Sequence, residues 1–224
     1  MKKVLLAKKI GMTQIFGNLS GDQKNARVYS VTVLEAGPCV VTNIKTKEKD
    51  GYTAVQLGFG KKTRVSKPVF GQVKRLGNFA LIKEFRLDNE ADVKVGDKIS
   101  ADSFEVGEKV NATALNKGRG FQGVVKRHGF KTAHTTHGQK DRVRAPGSIG
   151  AMSPPRVLKG TKLPGHMGQE RTTIRNMRVV QVDAVKNLLY VWGAIPGNKG
   201  TVVEIREAAL TNSGRVRRAQ KIHA

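Results

Sequence analysis

The clearest periodic signal lies at residues 27–35, where Tyr29, Val31 and Val33 alternate with Ser30 and Thr32. A repeat of two places one set of side chains on each face of a half-buried strand. Residues 40–45 and 52–59 read the same way, with Val55, Leu57 and Phe59 on one face. Between them stands Asp50-Gly51, a pair that accepts the positive φ angles of a tight hairpin. Phe79, Leu81, Phe85 and Leu87 alternate again, with Lys83 interrupting the apolar face. Residues 93–99 read as a strand bent at Gly96-Asp97, and residues 179–182, 188–192 and 201–205 complete the set. One helix is expected over residues 68–76, where Val69, Val73 and Leu76 recur at helical spacing. Many short strands joined by Gly-rich connections predict a mainly β fold, a closed barrel or a sandwich. Trp192, at the end of an apolar run, is expected in the core or at its edge.

Residues 116–178 fit neither period for long. They hold ten glycines, four prolines and few large apolar groups. Such a stretch buries too little surface to offset its ordering entropy. We expect an arm inserted between strands, taking its shape when it meets a partner.

Charge identifies the kind of partner. The 224 residues carry 41 Lys and Arg against 17 Asp and Glu, a net charge of +24. Residues 79–108 contain four bases and eight acids, an ordinary surface composition. Residues 117–178 contain fourteen bases and two acids, Asp141 and Glu170, and so hold half of the net charge. Further all-basic clusters occupy residues 61–75 and the C-terminal Arg215, Arg217, Arg218 and Lys221. Unbalanced charge of this size would repel itself without a polyanion. The opening MKKVLLAKKIG has an apolar run of only four residues, too short for a secretory leader, and no later run is long enough to span a bilayer. The single Cys39 forbids an intrachain disulfide and a four-cysteine zinc site, which makes the reducing cytoplasm the default compartment.

Other chemistry finds little support. Residues 118–123, GRGFQG, match the dinucleotide fingerprint, but residues 112–117 show no strand-like run and Gly129 breaks the segment after it. The glycines suit a backbone that passes close to sugar-phosphate. His134 and His137 do not complete a tetrahedral metal site, and together with His128 and His166 they suit phosphate, ribose or base contacts. Ser148 and Asp141 have no nucleophile-elbow context, and no carboxylate pair sits in an apolar setting, so no catalytic group, metal, cofactor or small-molecule substrate is expected. Asp141 and Glu170 are expected to pair with neighbouring arginines.

Several segments, in order, resemble one family. KKIGMTQIF (residues 8–16), VTVLEAGPCVVTNIKTKEKDGYTAVQLGFG (31–60), KGRGFQGVVKRHGF (117–130), RAPGSIGAMSPPRVLKGTKLPGHMG (144–168) and NLLYVWGAIPG (187–197) are similar to bacterial large-subunit ribosomal protein L-three. The resemblance spans residues 1–207. It implies a six-stranded translation-factor-type β-barrel with a long, basic, Gly/Pro-rich inserted extension. The barrel would comprise residues 1–115 and 179–210, the arm 116–178 and a basic tail 211–224. It further implies a structural, primary rRNA-binding constituent of the cytoplasmic large (50S) subunit. Such a protein binds near the 3′ end of 23S rRNA, nucleates assembly and neighbours proteins L-fourteen and L-nineteen.

On this chain the rRNA-binding set would be Lys8, Lys9, Lys61, Lys62, Arg64, Lys117, Arg119, Lys126, Arg127, His128, Lys131, His134, His137, Lys140, Arg142, Arg144, Arg156, Lys159, Lys162, His166 and Arg171. The arm tip near the peptidyl-transferase centre would be Gly147, Ser148, Ile149, Gly150, Ala151, Met152, Ser153 and Pro154. A free-standing RNA chaperone or nucleic-acid-compacting protein would share the charge but not the ordered segments. An RNA-modifying enzyme would need a cofactor pocket or metal set.

Two positions depart from the family pattern: Asn116 stands where Ser or Thr is usual, and Ala151 where some members carry a methylated Gln. Peptide mass mapping of residues 148–155 should therefore show no methyl group, and an added methyl there would contradict the assignment.

Overall fold

The computed structural model describes residues 3–17, 27–73, 76–87 and 93–208. The expected tail 211–224 and the bases Lys74 and Arg75 lie outside them. By its contacts the chain divides into two units, Met1–Ala114 with Thr172–Ala224, and Leu115–Arg171. The fold is mainly β. Its strands are β1 (Val4–Gly17), β2 (Arg27–Ala36), β3 (Cys39–Lys45), β4 (Ala54–Lys61), β5 (Phe79–Arg86), β6 (Lys98–Ile99), β7 (Lys109–Leu115), β8 (Phe121–Gln122), β9 (Gly165–His166), β10 (Arg171–Asp183), β11 (Leu188–Trp192) and β12 (Val202–Glu207). The helices are short: α1 (Lys47–Asp50), α2 (Lys67–Gln72) and α3 (Val124–His128). No helix among the described residues is long and apolar enough to cross a membrane.

In the first unit the strands close into a barrel in the order β1-β12-β7-β10-β11-β2. A second sheet runs β5-β4-β3-β6. The core is continuous across both, from Leu5, Leu6 and Leu34 in the barrel to Val41, Leu57 and Phe85 in the second sheet. Val4, Leu5, Leu6 and Ala7 are buried in succession, as befits a strand covered on both faces. Val4–Ala7 thus form the start of β1. Alternation could not reveal it because there is no solvent face to alternate with.

Several expectations need correction. β7 was not anticipated, because apart from Val110 its buried positions are the small Ala112, Thr113 and Ala114 rather than large aliphatics. β10 starts at Arg171, well before the expected Val179; its first residues are mostly exposed and polar, without an apolar face to read. Residues 93–99 do not form one strand. Gly96 takes φ 98° and Asp97 accepts the Lys94 N–H at 2.7 Å. Of this segment Lys98 and Ile99 form the strand paired with β3, while Gly96 and Asp97 bond to Val41 from the turn. Asp50-Gly51 closes a helical turn rather than a two-residue hairpin. Gly51 does adopt φ 79°, but as the cap of α1, whose Lys-Glu-Lys-Asp sequence favours helix. The helix expected over 68–76 is α2, with Val69 half-buried, Val73 buried just after it and Pro68 in its first turn. Trp192 remains 44% exposed, its ring edge-on to Tyr29 at 5.3 Å, so it lies at the margin and not within the core. Lys83 interrupts its strand because it reaches Glu204 of β12 at 3.4 Å.

Cys39 is fully buried, and its thiol donates to the Leu6 carbonyl at 3.2 Å. Burial pushes the thiol up to about 11. The folded state thus holds the proton more tightly than the unfolded chain. Its contribution to stability should be intact below about 9 and decline towards about 11 as the unfolded thiol ionises. Native protein at pH 8 should resist iodoacetamide until it is denatured, and rapid native alkylation would contradict the burial.

Candidate nucleic-acid interface

The second unit, Leu115–Arg171, is organised by a two-stranded ribbon. β8 and β9 are antiparallel, with Phe121 opposite His166 and Gln122 opposite Gly165. The pairing continues towards the ends of the unit. The Arg119 N–H donates to Met167 O at 2.9 Å and the Met167 N–H to Gly120 O at 3.0 Å. The Asn116 N–H then meets Glu170 O at 3.0 Å, and the Asn116 side-chain oxygen accepts the Glu170 N–H at 3.0 Å. Asn116, the departure from the family pattern, thus still closes the ribbon. Gly168 is required here: its φ is +82°, and a Cβ would stand 2.3 Å from Lys117 O.

Short helix α3 follows β8. Val124 is buried while Lys126 and Arg127 are exposed. Arg127 donates from Nη1 to Leu163 O at 2.8 Å, and the same carbonyl lies 3.0 Å from His128 Nε2. A Cβ on Gly165 would come within 2.6 Å of Arg127 Nη1, so the glycine leaves room for that guanidinium. Arg127 and His128 therefore spend part of their hydrogen-bonding capacity inside the protein. Arg127 keeps its charge towards solvent.

Beyond the ribbon, Lys131, His134, His137, Lys140, Arg142, Arg144, Arg156, Lys159 and Lys162 are all exposed or half-buried, as are Lys117, Arg119, His166 and Arg171. Residues 147–154 are exposed throughout, Met152 at 98%. Among the described residues Asp141 forms no ion pair, contrary to expectation. Ion pairs in the first unit include Lys3–Glu108 at 3.1 Å and Lys45–Glu84 at 3.2 Å. Burial disfavours the Glu84 charge, but hydrogen bonds from Tyr52 and Lys45 outweigh it and hold the carboxyl below its usual range. Several acids of the first unit are thus paired with its bases, while the second unit exposes many bases among only two acids, Asp141 and Glu170. Such a surface attracts a polyanion through its phosphates, by neutralisation and counterion release.

The dinucleotide fingerprint stands in a different setting from the one expected. A strand, β7, does precede the glycines, but it is antiparallel to β12 in a barrel, and α3 has only five residues before Gly129 turns left-handed at φ 72°. The parallel strand–helix–strand context of a dinucleotide site is missing. Among the described residues no group of three His, Cys, Asp or Glu side chains is placed to hold a metal, and His134 and His137 both face solvent.

In the first unit, Lys8, Lys61 and Lys62 line one cleft, joined by Lys98, which sequence reasoning missed. Lys98 lies beside an acidic stretch, so no run of bases advertised it. Arg64 is exposed nearby in sequence but is not among the residues lining the cleft. Lys9 does not belong with this set. The register of β1 against β2 shifts between Lys9 and Gly11, and Lys9 is turned inward and buried. Its Nζ donates to Ile195 O at 2.5 Å and Gly197 O at 3.0 Å. We therefore reassign Lys9 from RNA contact to loop anchor. Lys9→Met should lower the stability of the free protein by about 1–3 kcal/mol, by leaving buried carbonyls unsatisfied. Lys61→Met should leave the melting temperature unchanged. Equal melting temperatures for the two variants would refute the reassignment.

Comparison with known proteins gives a consistent result. The family model described as Ribosomal protein L3 matches residues 76–187. A large ribosomal subunit protein uL3 from Dehalococcoides mccartyi (strain CBDB1) is 50% identical over 204 residues, covering 91% of this chain and 97% of that protein. The uL3 of Pelotomaculum thermopropionicum is 50% identical over 213 residues, covering 93% and 98%. That of Geobacter sulfurreducens is 48% identical over 212 residues, covering 92% and 98%.

Proposed function

The chain belongs to the ribosomal protein L3 family, and from that premise we propose that it is a structural constituent of the large ribosomal subunit that works by binding rRNA. The observation that carries this reading is identity of about half the residues over nine-tenths of the chain and nearly the whole length of the relatives. The family is structural rather than enzymatic, and its place is the large subunit in the cytoplasm.

In finer detail, the barrel is of the translation-factor type and, with the second sheet, forms a globular domain from residues 1–115 and 179–210. Residues 116–178 are the basic, Gly/Pro-rich extension and 211–224 the basic tail. The globular part binds near the 3′ end of 23S rRNA, helps nucleate assembly and lies beside L-fourteen and L-nineteen. The extension runs between RNA helices, with Gly147–Pro154 towards the peptidyl-transferase centre. The physics of the residues supports this division of labour. A cored barrel is a rigid platform, whereas small residues let a backbone pass through a channel too narrow for bulky side chains. Exposed Lys117, Arg119, Lys126 and Arg144 offer charge to phosphates, and RNA helices are recognised by shape, phosphate and 2′-hydroxyl rather than through the major groove.

Sedimentation tests the reading. Tagged protein expressed in a bacterial host should remain at one copy per large subunit through high-salt washing. Recovery only in the free or nucleoid fraction would refute it in favour of a free-standing chaperone or compacting protein.

A further inference from the structure

Phosphates do not account for every exposed group of the second unit. Between residues 149 and 158, Ile149, Met152, Val157 and Leu158 are all open to solvent, Val157 at 44% and Leu158 at 57%. Scattered apolar side chains on a surface are ordinary, but two adjacent branched ones on irregular backbone form a local apolar feature. Val157 and Leu158 lie between the bends at 152–156 and a turn at 159–160. Thr161 closes that turn, its N–H and hydroxyl both donating to Leu158 O, at 3.3 and 2.7 Å. The Val157 N–H and carbonyl and the Leu158 N–H have no hydrogen-bond partner among the described residues. Arg156 and Lys159 flank the pair, both exposed, and the nearest acids in sequence are Asp141 and Glu170. Residues 156–159 thus combine free backbone, aliphatic side chains and a cation at either end.

We propose that this segment docks, before assembly, in the extended-peptide cleft of a holding chaperone. Such a cleft hydrogen-bonds the main chain of an extended segment and takes alternate side chains into pockets. Leu158 fills the apolar pocket, and an acidic rim meets Arg156 and Lys159. Two observations favour a protein cleft over RNA as the first partner. Branched aliphatics have no flat face to stack on a base, so stacking on RNA gives Val157 and Leu158 little. The free Val157 carbonyl finds no donor among phosphate oxygens, whereas a cleft that pairs with main chain supplies N–H groups. Arg156 and Lys159 also stand in the proposed rRNA-binding set, so chaperone and RNA exclude each other on this segment. The inference rests on the ribosomal reading only in naming rRNA as what displaces the chaperone.

The test uses the full chain, free of RNA, and a purified bacterial heat-shock chaperone of the ATP-dependent peptide-clamp class in its ADP state. Titration calorimetry reads the affinity. The double variant Val157→Ser, Leu158→Ser should melt like the parent and bind about tenfold or more weakly. Arg156→Glu with Lys159→Glu should weaken binding as well, whereas Met152→Ser should leave it unchanged. No binding by the parent, an unchanged affinity in either double variant, or an equal loss in Met152→Ser overturns the proposal. Adding a transcript of large-subunit rRNA should release the chaperone, and a stable ternary complex overturns the exclusion. A chain absent from washed large subunits that still binds through Leu158 would sink the ribosomal reading and leave the chaperone segment standing.

Discussion

The barrel is held shut by a strand that joins the two ends of the described chain. β1 hydrogen-bonds to β2 on one side and to β12 on the other, with Leu5 opposite Ile205 and Ala7 opposite both Val203 and Ala36. Closing the ring leaves no open barrel edge for another chain to pair with. It also buries Leu5 and Leu6 completely, each worth about 1.5–3 kcal/mol relative to exposure. The register shift between β1 and β2 follows Lys9, which keeps the inward parity of Leu5 and Ala7 in unbroken register with β2. Ordinary alternation therefore sends this lysine into the protein. The backbone N–H of Lys9 donates to Thr201 O, its carbonyl accepts from Gly200, and its ammonium holds the 195–197 loop. One residue thus ties β1 to the approach to β12.

β7 and β10 flank the 115–171 unit in sequence and are neighbours in the barrel. A long excursion between adjacent strands leaves the hydrogen-bonding order of the ring intact. This is why a core and a region with scarcely any large buried side chains can coexist in one chain. In the second unit the structure is carried by backbone pairing across the ribbon, by Val124 and by the carbonyl of Leu163. Most remaining side chains there are exposed and many are basic, so their energetic return depends on a partner rather than on a core.

The alternating strands β2 and β11 were legible because each has one wetter face, and the helical spacing of α2 for the same reason. β4 was legible because Gln56, Gly58 and Gly60 alternate with its large apolar side chains. β1 and β7 were not. The first is dry on both faces over Val4–Ala7, and the second mostly uses alanine and threonine where a periodicity count looks for large aliphatics. The start of β10 is almost wholly polar outside, so the strand shows only where it enters the core. In the candidate interface the density of bases from Lys117 to Arg171 was plain from composition, and their exposure follows from the lack of anything apolar to bury. What composition could not do was separate Lys8 from Lys9, because register is decided by pairing with β2 and not by either residue.

From residue order alone came the β class, the polyanionic partner, the family and the basic segment, all of which rest on composition and local spacing. Only the tertiary structure decided that Lys9 is an internal anchor, that Lys98 joins Lys61 and Lys62 at one cleft, and that Lys83 is paired with Glu204. Each of these depends on which distant strands lie side by side. Side-chain charge is written in the sequence, but whether a charge meets solvent, a carbonyl or a carboxylate is fixed by packing.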